Sequence, residues 1–156
     1  MSDRRRLTAE EAALARSMFG DAIDLSAVEL VNRRWAFFQP RAVVMAPMGR
    51  IHFHPQGDLF CDDFCAAPTG RQGLLLHELT HVWQTQTRGR WYLPLMRLPF
   101  ARYDYVLERG KPFAAYGLEQ QAEIVRHAFL LRRGIKVEGK PPLSVYEAVL
   151  PFGSPA

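Results

Sequence analysis

Apolar residues recur along the chain in two textures: long stretches at helical spacing, and short runs cut off by Pro, Gly or Asp. Thr8-Ala-Glu-Glu11 has the form of a capping box, in which the hydroxyl and the carboxylate each bond the other's backbone N–H. Ala12, Leu14, Ala15, Met18 and Phe19 follow at helical spacing until Gly20. This predicts a first helix over 8–19. The segments 28–31, 42–45, 51–54 and 59–60 are short and apolar-rich, and they predict a small, mostly antiparallel sheet with a turn at Met48-Gly49.

From Arg71 the texture changes. The run Gln72-Gly-Leu-Leu-Leu-His-Glu-Leu-Thr-His-Val-Trp-Gln-Thr-Gln-Thr87 holds no proline and stops at Gly89, which predicts one long helix. Leu74, Leu75, Leu76, Leu79, Val82 and Trp83 surround it almost entirely, so it is expected to lie inside the domain. Residues 90–113 carry Trp91, Tyr92, Pro94, Pro99, Phe100, Tyr103, Tyr105 and Pro112 and are expected to be irregular, shaping a pocket wall. A second strong helix is expected over 117–133, ended by Gly134, with Leu118, Ala122, Val125, Phe129 and Leu130 on its apolar side. A short helix is expected at 144–149, and residues 1–6 and 151–156 are expected to be loose.

With 156 residues, 48% hydrophobic and 23% charged, the chain fits a single α+β domain over 1–156. No run approaches the ~18 uninterrupted apolar residues of a membrane span, and the opening Met-Ser-Asp-Arg-Arg-Arg leads into no signal-peptide core. A cytoplasmic location without a membrane partner is therefore expected, with export by a specialised secretion system left open. The net charge of +4 arises from 20 basic and 16 acidic residues, and 17 of the basic residues are arginine. They fall in scattered pairs and a terminal triplet, with no run that defines a phosphate track, so they read as a solvated surface and no nucleic-acid partner is expected. Two cysteines, Cys61 and Cys65, are too few for a disulfide framework.

The chemistry is concentrated at His77-Glu78-Leu79-Thr80-His81. Residues four apart on a helix share a face, so two imidazoles can bind one cation while Glu78, about 100° round, reaches beside it. Zinc suits two neutral imidazoles and a carboxylate oxygen, with the fourth position kept for water; the metal acidifies that water toward a pKa of ~7, and Glu78 can take its proton and deliver it to a leaving amine. Burying three ionisable groups together without a metal is costly, which favours the metal over two merely hydrogen-bonded core histidines. For a third ligand the second helix offers Glu119-Gln-Gln-Ala-Glu123. One of these carboxylates can bind metal while the other orients a ligating imidazole through its second ring nitrogen. Glu119 is expected as ligand and Glu123 as support, with the exchange of roles open. His127 continues the stripe about 12 Å beyond Glu119, too far to share an ion with it.

His77 to His81 followed by Glu119-x-x-x-Glu123 resembles the gluzincin arrangement of thermolysin-like metallopeptidases, in which the first acid of the later helix binds zinc and a downstream acid supports a histidine. Glu123 stands where that pattern usually has Asp, one methylene shorter. The wider wording, Leu76-His-Glu-Leu-Thr-His-Val-Trp-Gln84 and Leu118-Glu-Gln-Gln-Ala-Glu-Ile-Val125, is similar to small bacterial zincin-like proteins described as Vgr-related and associated with Rhs or type VI secretion genes. The resemblance covers roughly residues 50–130. It implies a zincin-like fold, a small sheet packed on the metal helix with the second helix closing the site. The resemblance implies a minimal zincin without specifying its substrate; a peptide or protein substrate is expected here, with a secretion-system partner left open. In zincins a strand beside the metal helix pairs with extended substrate, a part that 42–45 or 51–54 would take.

Other residues are weighed against this centre. His52 and His54 alternate with Ile51 and Phe53 and read as a polar strand face. Tyr103, Tyr105 and Tyr116 could each donate to a developing oxyanion, although core packing is the expectation for each. Cys61-x-x-x-Cys65, followed after eleven residues by His77-x-x-x-His81, also has nearly the spacing of a Cys2His2 structural zinc module. That alternative leaves Glu78, Glu119 and Glu123 without a task. The sequence thus predicts a zinc metallopeptidase with Glu78 as general base and then acid. Its alternatives are the structural zinc module and a zincin-like secretion component without turnover.

Overall fold

The computed structural model describes residues 3–46, 49–89 and 102–152. Over these residues the fold is α+β, with four helices and one three-stranded sheet. The strands are β1 (Arg4–Arg5), β2 (Glu29–Val31) and β3 (Arg50–His52); the helices are α1 (Ala9–Phe19), α2 (Thr69–Arg88), α3 (Leu118–Arg132) and α4 (Leu143–Val149). Among the described residues no helix is long and apolar enough to cross a membrane.

The sheet order is β1-β2-β3. β1 runs antiparallel to β2, with Arg4 opposite Val31 and Arg5 opposite Leu30; β2 runs parallel to β3, with Leu30 opposite Ile51 and Val31 opposite His52. The sheet is thus mixed where a mostly antiparallel one was expected. The cause is the connection from β2 to β3: residues 32–49 are long enough for the crossover that parallel pairing demands, and no tight hairpin turn joins the two strands. Of the segment 42–45 only Met45 enters the sheet. It pairs antiparallel with His52 on the outer side of β3, exchanging both N–H···O bonds at 3.0 and 2.7 Å. The expected strand at 59–60 is absent; Phe60 instead packs edge-on against Phe53, centroids 5.4 Å apart. Of the turn expected at Met48-Gly49, Met48 lies outside the described residues.

α1 begins as its sequence predicts. Glu11 N–H donates to the Thr8 hydroxyl at 3.1 Å, and Thr8 N–H donates to the Glu11 carboxylate at 2.9 Å. The same carboxylate is fully buried and accepts two bonds from the Arg5 guanidinium, at 2.8 and 2.9 Å, and one from Phe64 N–H at 2.7 Å. Burial opposes ionisation of Glu11, yet Arg5 and the two backbone amides outweigh it and hold the pKa below the usual carboxylate range. Arg5 also donates to the Cys61 carbonyl at 2.7 and 3.1 Å. The N-terminal segment is therefore not loose at Arg4–Arg5: a strand and a buried ion pair fix it. At the other end Phe152 is buried against Phe19, Trp83 and Phe113, with centroids 4.9, 5.2 and 5.9 Å away, so the expectation of a loose tail fails there as well; residues 153–156 lie outside the described residues.

α2 is the axis of the core. Leu75, Leu76, Leu79 and Val82 are each at most 1% exposed, in line with the sequence expectation of an internal helix. α3 packs along it, and at Gly73 the approach is close: a Cβ there would stand 3.2 Å from Arg126 Cγ. α3 opens at Gly117, whose N–H donates to Gln120 Oε1 at 2.9 Å, and ends before Gly134, whose φ of +77° reverses the chain so that Ile135 N–H reaches the Leu130 carbonyl. This pairing of α2 with α3 sets the centre described next.

Candidate metal centre

Two turns into α2 and at the first turn of α3, polar side chains meet inside the apolar packing. His77 and His81 lie one helical turn apart, ring centroids 5.1 Å apart at 77°, and both are almost fully buried. Glu119 comes from the start of α3, and a single oxygen, Oε2, lies 3.1 Å from His77 Nε2 and 3.0 Å from His81 Nε2. One ligand atom from each of the three residues falls within 4.8 Å of the other two. A tetrahedral zinc shell with bonds of about 2.0–2.1 Å would set its ligand atoms about 3.3 Å apart.

The second ring nitrogens are fixed as well. His81 Nδ1–H donates to Gln84 Oε1 at 2.8 Å. The amide of Gln84 cannot turn over, because its Nε2 donates to the Leu118 carbonyl at 3.0 Å and to Gln121 Oε1 at 2.9 Å, while Gln121 Nε2 donates to the Tyr116 carbonyl at 2.9 Å. A backbone carbonyl thus determines, through two amides, that the neutral His81 carries its proton on Nδ1 and presents a lone pair at Nε2. On His77, Nδ1 faces Glu123 Oε2 at 3.0 Å, and that oxygen is also paired with Arg126 Nε at 2.8 Å. Glu119 therefore sits between the imidazoles, and Glu123 sits behind one of them.

The donor set fits a divalent cation. A neutral imidazole has one N–H, yet both nitrogens of His77 face carboxylates, and the lone pair of His81 Nε2 faces an oxygen that also carries lone pairs. A positive charge where the three atoms meet resolves both conflicts. In its absence a proton does so: burial pushes His77 toward the neutral form, but hydrogen bonds to Glu119 and Glu123 overcome this and raise its pKa to about 10. Burial likewise opposes the ionisation of Glu119, while hydrogen bonds to His77 and His81 hold its pKa far below the ordinary value. Glu78 is 5% exposed, and its charge adds to the field that favours a cationic His77.

The remaining sequence candidates lie elsewhere. Among the described residues the convergent group does not include Cys61 or Cys65. Of those half-buried thiols, Cys61 precedes and Cys65 lies within the 3-10 turn Phe64–Ala66 before α2, whereas His77 lies about 12 Å along that helix from its first residue. Burial raises the pKa of both thiols, which disfavours the thiolate a Cys2His2 site needs. His127 bonds the Tyr105 hydroxyl at 2.5 Å, and burial lowers its pKa to about 4. Tyr105 and Tyr116 are core residues as expected, but Tyr103 is not: it is 49% exposed and its ring stacks over His77, centroids 6.1 Å apart at 16°. The outer side of β3 at His52 is taken by Met45 and by Gln39 Nε2, so at that position the sheet edge is closed by the chain itself. The segment 90–101, expected to shape the pocket wall, lies outside the described residues.

Gln84, Gln121 and Arg126 escaped the sequence reading. Only Gln84 carried a signal, three residues after His81 on the same helical face. Gln121 and Arg126 matter through the packing of α3 on α2, which no local pattern announces.

No protein-family model matches the chain. In an alignment 132 positions long that covers 81% of its length, it is 39% identical to the type VI secretion system spike protein VgrG2b of Pseudomonas aeruginosa, and it spans 13% of that much longer protein. The solved effector domain of Pseudomonas aeruginosa VgrG2b superimposes with a TM-score of 0.76 and 34% identity, covering 94% of this chain and 83% of that one. Identity above 30% and a shared fold over more than four fifths of the solved domain show that the chain belongs to the family of the VgrG2b effector domain.

Proposed function

We propose that this chain is a type VI secretion effector that hydrolyses a peptide or amide bond with a zinc ion held by His77, His81 and Glu119. The observation that carries the reading is the convergence of both Nε2 atoms on one oxygen of Glu119, with the opposite nitrogens fixed by Gln84 and Glu123. The kinship with a spike-protein effector domain supports delivery by a secretion apparatus. The zincin resemblance of the two helices supports the peptidase reading.

When bound, zinc supplies Lewis-acid activation of a water molecule and of the scissile carbonyl. The protein supplies the rest. Two neutral imidazoles and one carboxylate leave one net positive charge on the centre, the balance suited to acidifying water. Glu123, held by Arg126, accepts the Nδ1 proton of His77 and keeps its Nε2 free for the metal. Glu78, adjacent in sequence to His77 and buried beside the centre, takes a proton from the attacking water on its carboxylate and returns it to the departing amine nitrogen. Low exposure around these groups strengthens each electrostatic contact.

Metal content and peptide hydrolysis, measured on the parent and on single variants, test the reading. Glu119→Ala is expected to lose stoichiometric zinc. Replacing Cys61 and Cys65 by Ser is expected to retain it. Glu78→Gln is expected to keep the metal and lose hydrolysis. Zinc retained by Glu119→Ala and lost by the cysteine variant would overturn the ligand set; zinc bound without turnover in the parent would leave a metal-holding component and overturn the hydrolase.

A further inference from the structure

We propose that the loop over residues 33–41 is a docking surface for an anionic membrane interface. Trp35, Phe37 and Phe38 stand on it 36%, 86% and 60% exposed. Their rings meet edge-on, Trp35 with Phe38 at 6.3 Å between centroids and Phe37 with Phe38 at 5.4 Å, forming one aromatic tip rather than three scattered side chains. Arg33, Arg34 and Arg41 flank the tip and are all exposed.

The loop is built to hold this shape. Gln39, 3% exposed, accepts a bond from Trp35 N–H at 2.8 Å and donates to the carbonyls of Val43 at 2.8 Å and His52 at 3.0 Å. His52 belongs to β3, so one buried amide fastens the base of the loop to the sheet. Arg34 Nη1 donates to the Phe37 carbonyl at 3.2 Å and restrains the tip from outside. Anchoring of this kind presents large apolar rings to water at a fixed place, the arrangement expected of a recognition surface.

The chemistry selects the partner. A stable protein interface covers about 800 Å² and about 20–30 residues on each side, far more than a nine-residue projection offers. Rings at the centre with guanidinium groups around them match the layered membrane surface, where aromatic groups settle at the acyl boundary and arginines meet the phosphates. The net charge of +4 acts in the same direction. The lack of a spanning run in the sequence led to an expectation of no membrane partner; a docking loop needs no such run. The proposal does not rest on the hydrolase reading, and because β3 packs against α2 the loop would hold the candidate centre at a set orientation to the surface.

Cosedimentation of the chain with vesicles of phosphatidylcholine alone, and of phosphatidylcholine with phosphatidylglycerol, tests this. Binding is expected to the anionic vesicles only, weakening as salt is raised. A blue shift of tryptophan emission should accompany binding and disappear in Trp35→Phe. Phe37→Asp, at a ring with little role in the fold, should lower partitioning by about tenfold or more with an unchanged melting temperature, and so should the triple Arg33→Gln, Arg34→Gln, Arg41→Gln. Absence of binding by the parent, equal binding to neutral vesicles, or parental binding by Phe37→Asp would overturn the proposal. A concentration-dependent dimer abolished by Phe37→Asp would overturn it too, by giving the tip to a second copy of the chain.

Discussion

Gln84 Oε1 accepts the Nδ1 proton of His81 at 2.8 Å, and this one bond determines which nitrogen of the imidazole is available for a metal. Gln84→Leu removes that control while keeping the side-chain volume. Metal affinity is expected to fall by about 10–100-fold, measured by competition with a chromophoric chelator. The variant also strips a donor from Gln121 Oε1 and the Leu118 carbonyl, so a loss of about 1–3 kcal/mol in metal-free stability should appear in denaturant titration.

The two acids of α3 should separate by degree. Glu119→Gln removes the oxygen shared by both imidazoles and is expected to abolish stoichiometric metal binding. Glu123→Gln keeps an acceptor for His77 and should weaken binding only about 10-fold. Equal losses in the two variants, in metal analysis of the purified proteins, would contradict the division of roles.

Without metal, stability should depend on pH through the same pair. The pKa of His77 rises from 6.5 to about 10 in the fold, so its contribution is fully present below pH 6.5 and disappears as pH climbs toward 10. The Glu119 shift is downward, so its contribution is present above pH 4.5 and disappears only in strong acid. Thermal melts of chelator-treated protein should therefore decline between pH 6.5 and 10, and His77→Gln should flatten that decline. Zinc displaces the proton from Nε2, so its apparent affinity should increase across the same interval.

Far from the centre, Glu11 should be among the most sensitive positions. Glu11→Ala leaves the Arg5 guanidinium and the Phe64 and Thr8 amides without their shared acceptor, at a cost of about 3–5 kcal/mol in chemical denaturation. Because the Glu11 pKa is lowered, the parent should lose this contribution as pH falls below 4.5, while the variant has none to lose.

What was legible in the sequence was whatever is decided within a few turns of chain. The capping box at Thr8 and Glu11, the stop at Gly89 and the shared face of His77 and His81 are local, and each is present. The convergence of Glu119 with the histidines depends on how α3 lies against α2, a matter of packing at Gly73 and Arg126, and spacing alone left Glu119 and Glu123 interchangeable. The sheet was misjudged because strands of two or three residues carry too little alternation to fix direction, and a long connection permitted the parallel pair. Tyr103 was assigned to the core by its type; only the fold sets it over His77.

Trp83 sits two residues beyond His81 on the same rigid helix, its indole wedged between Phe113 and Phe152. If the centre takes up the proposed zinc, Trp83 is the indole placed to register it: zinc titrated into chelator-treated protein is expected to change tryptophan emission, and Trp83→Phe is expected to remove that change.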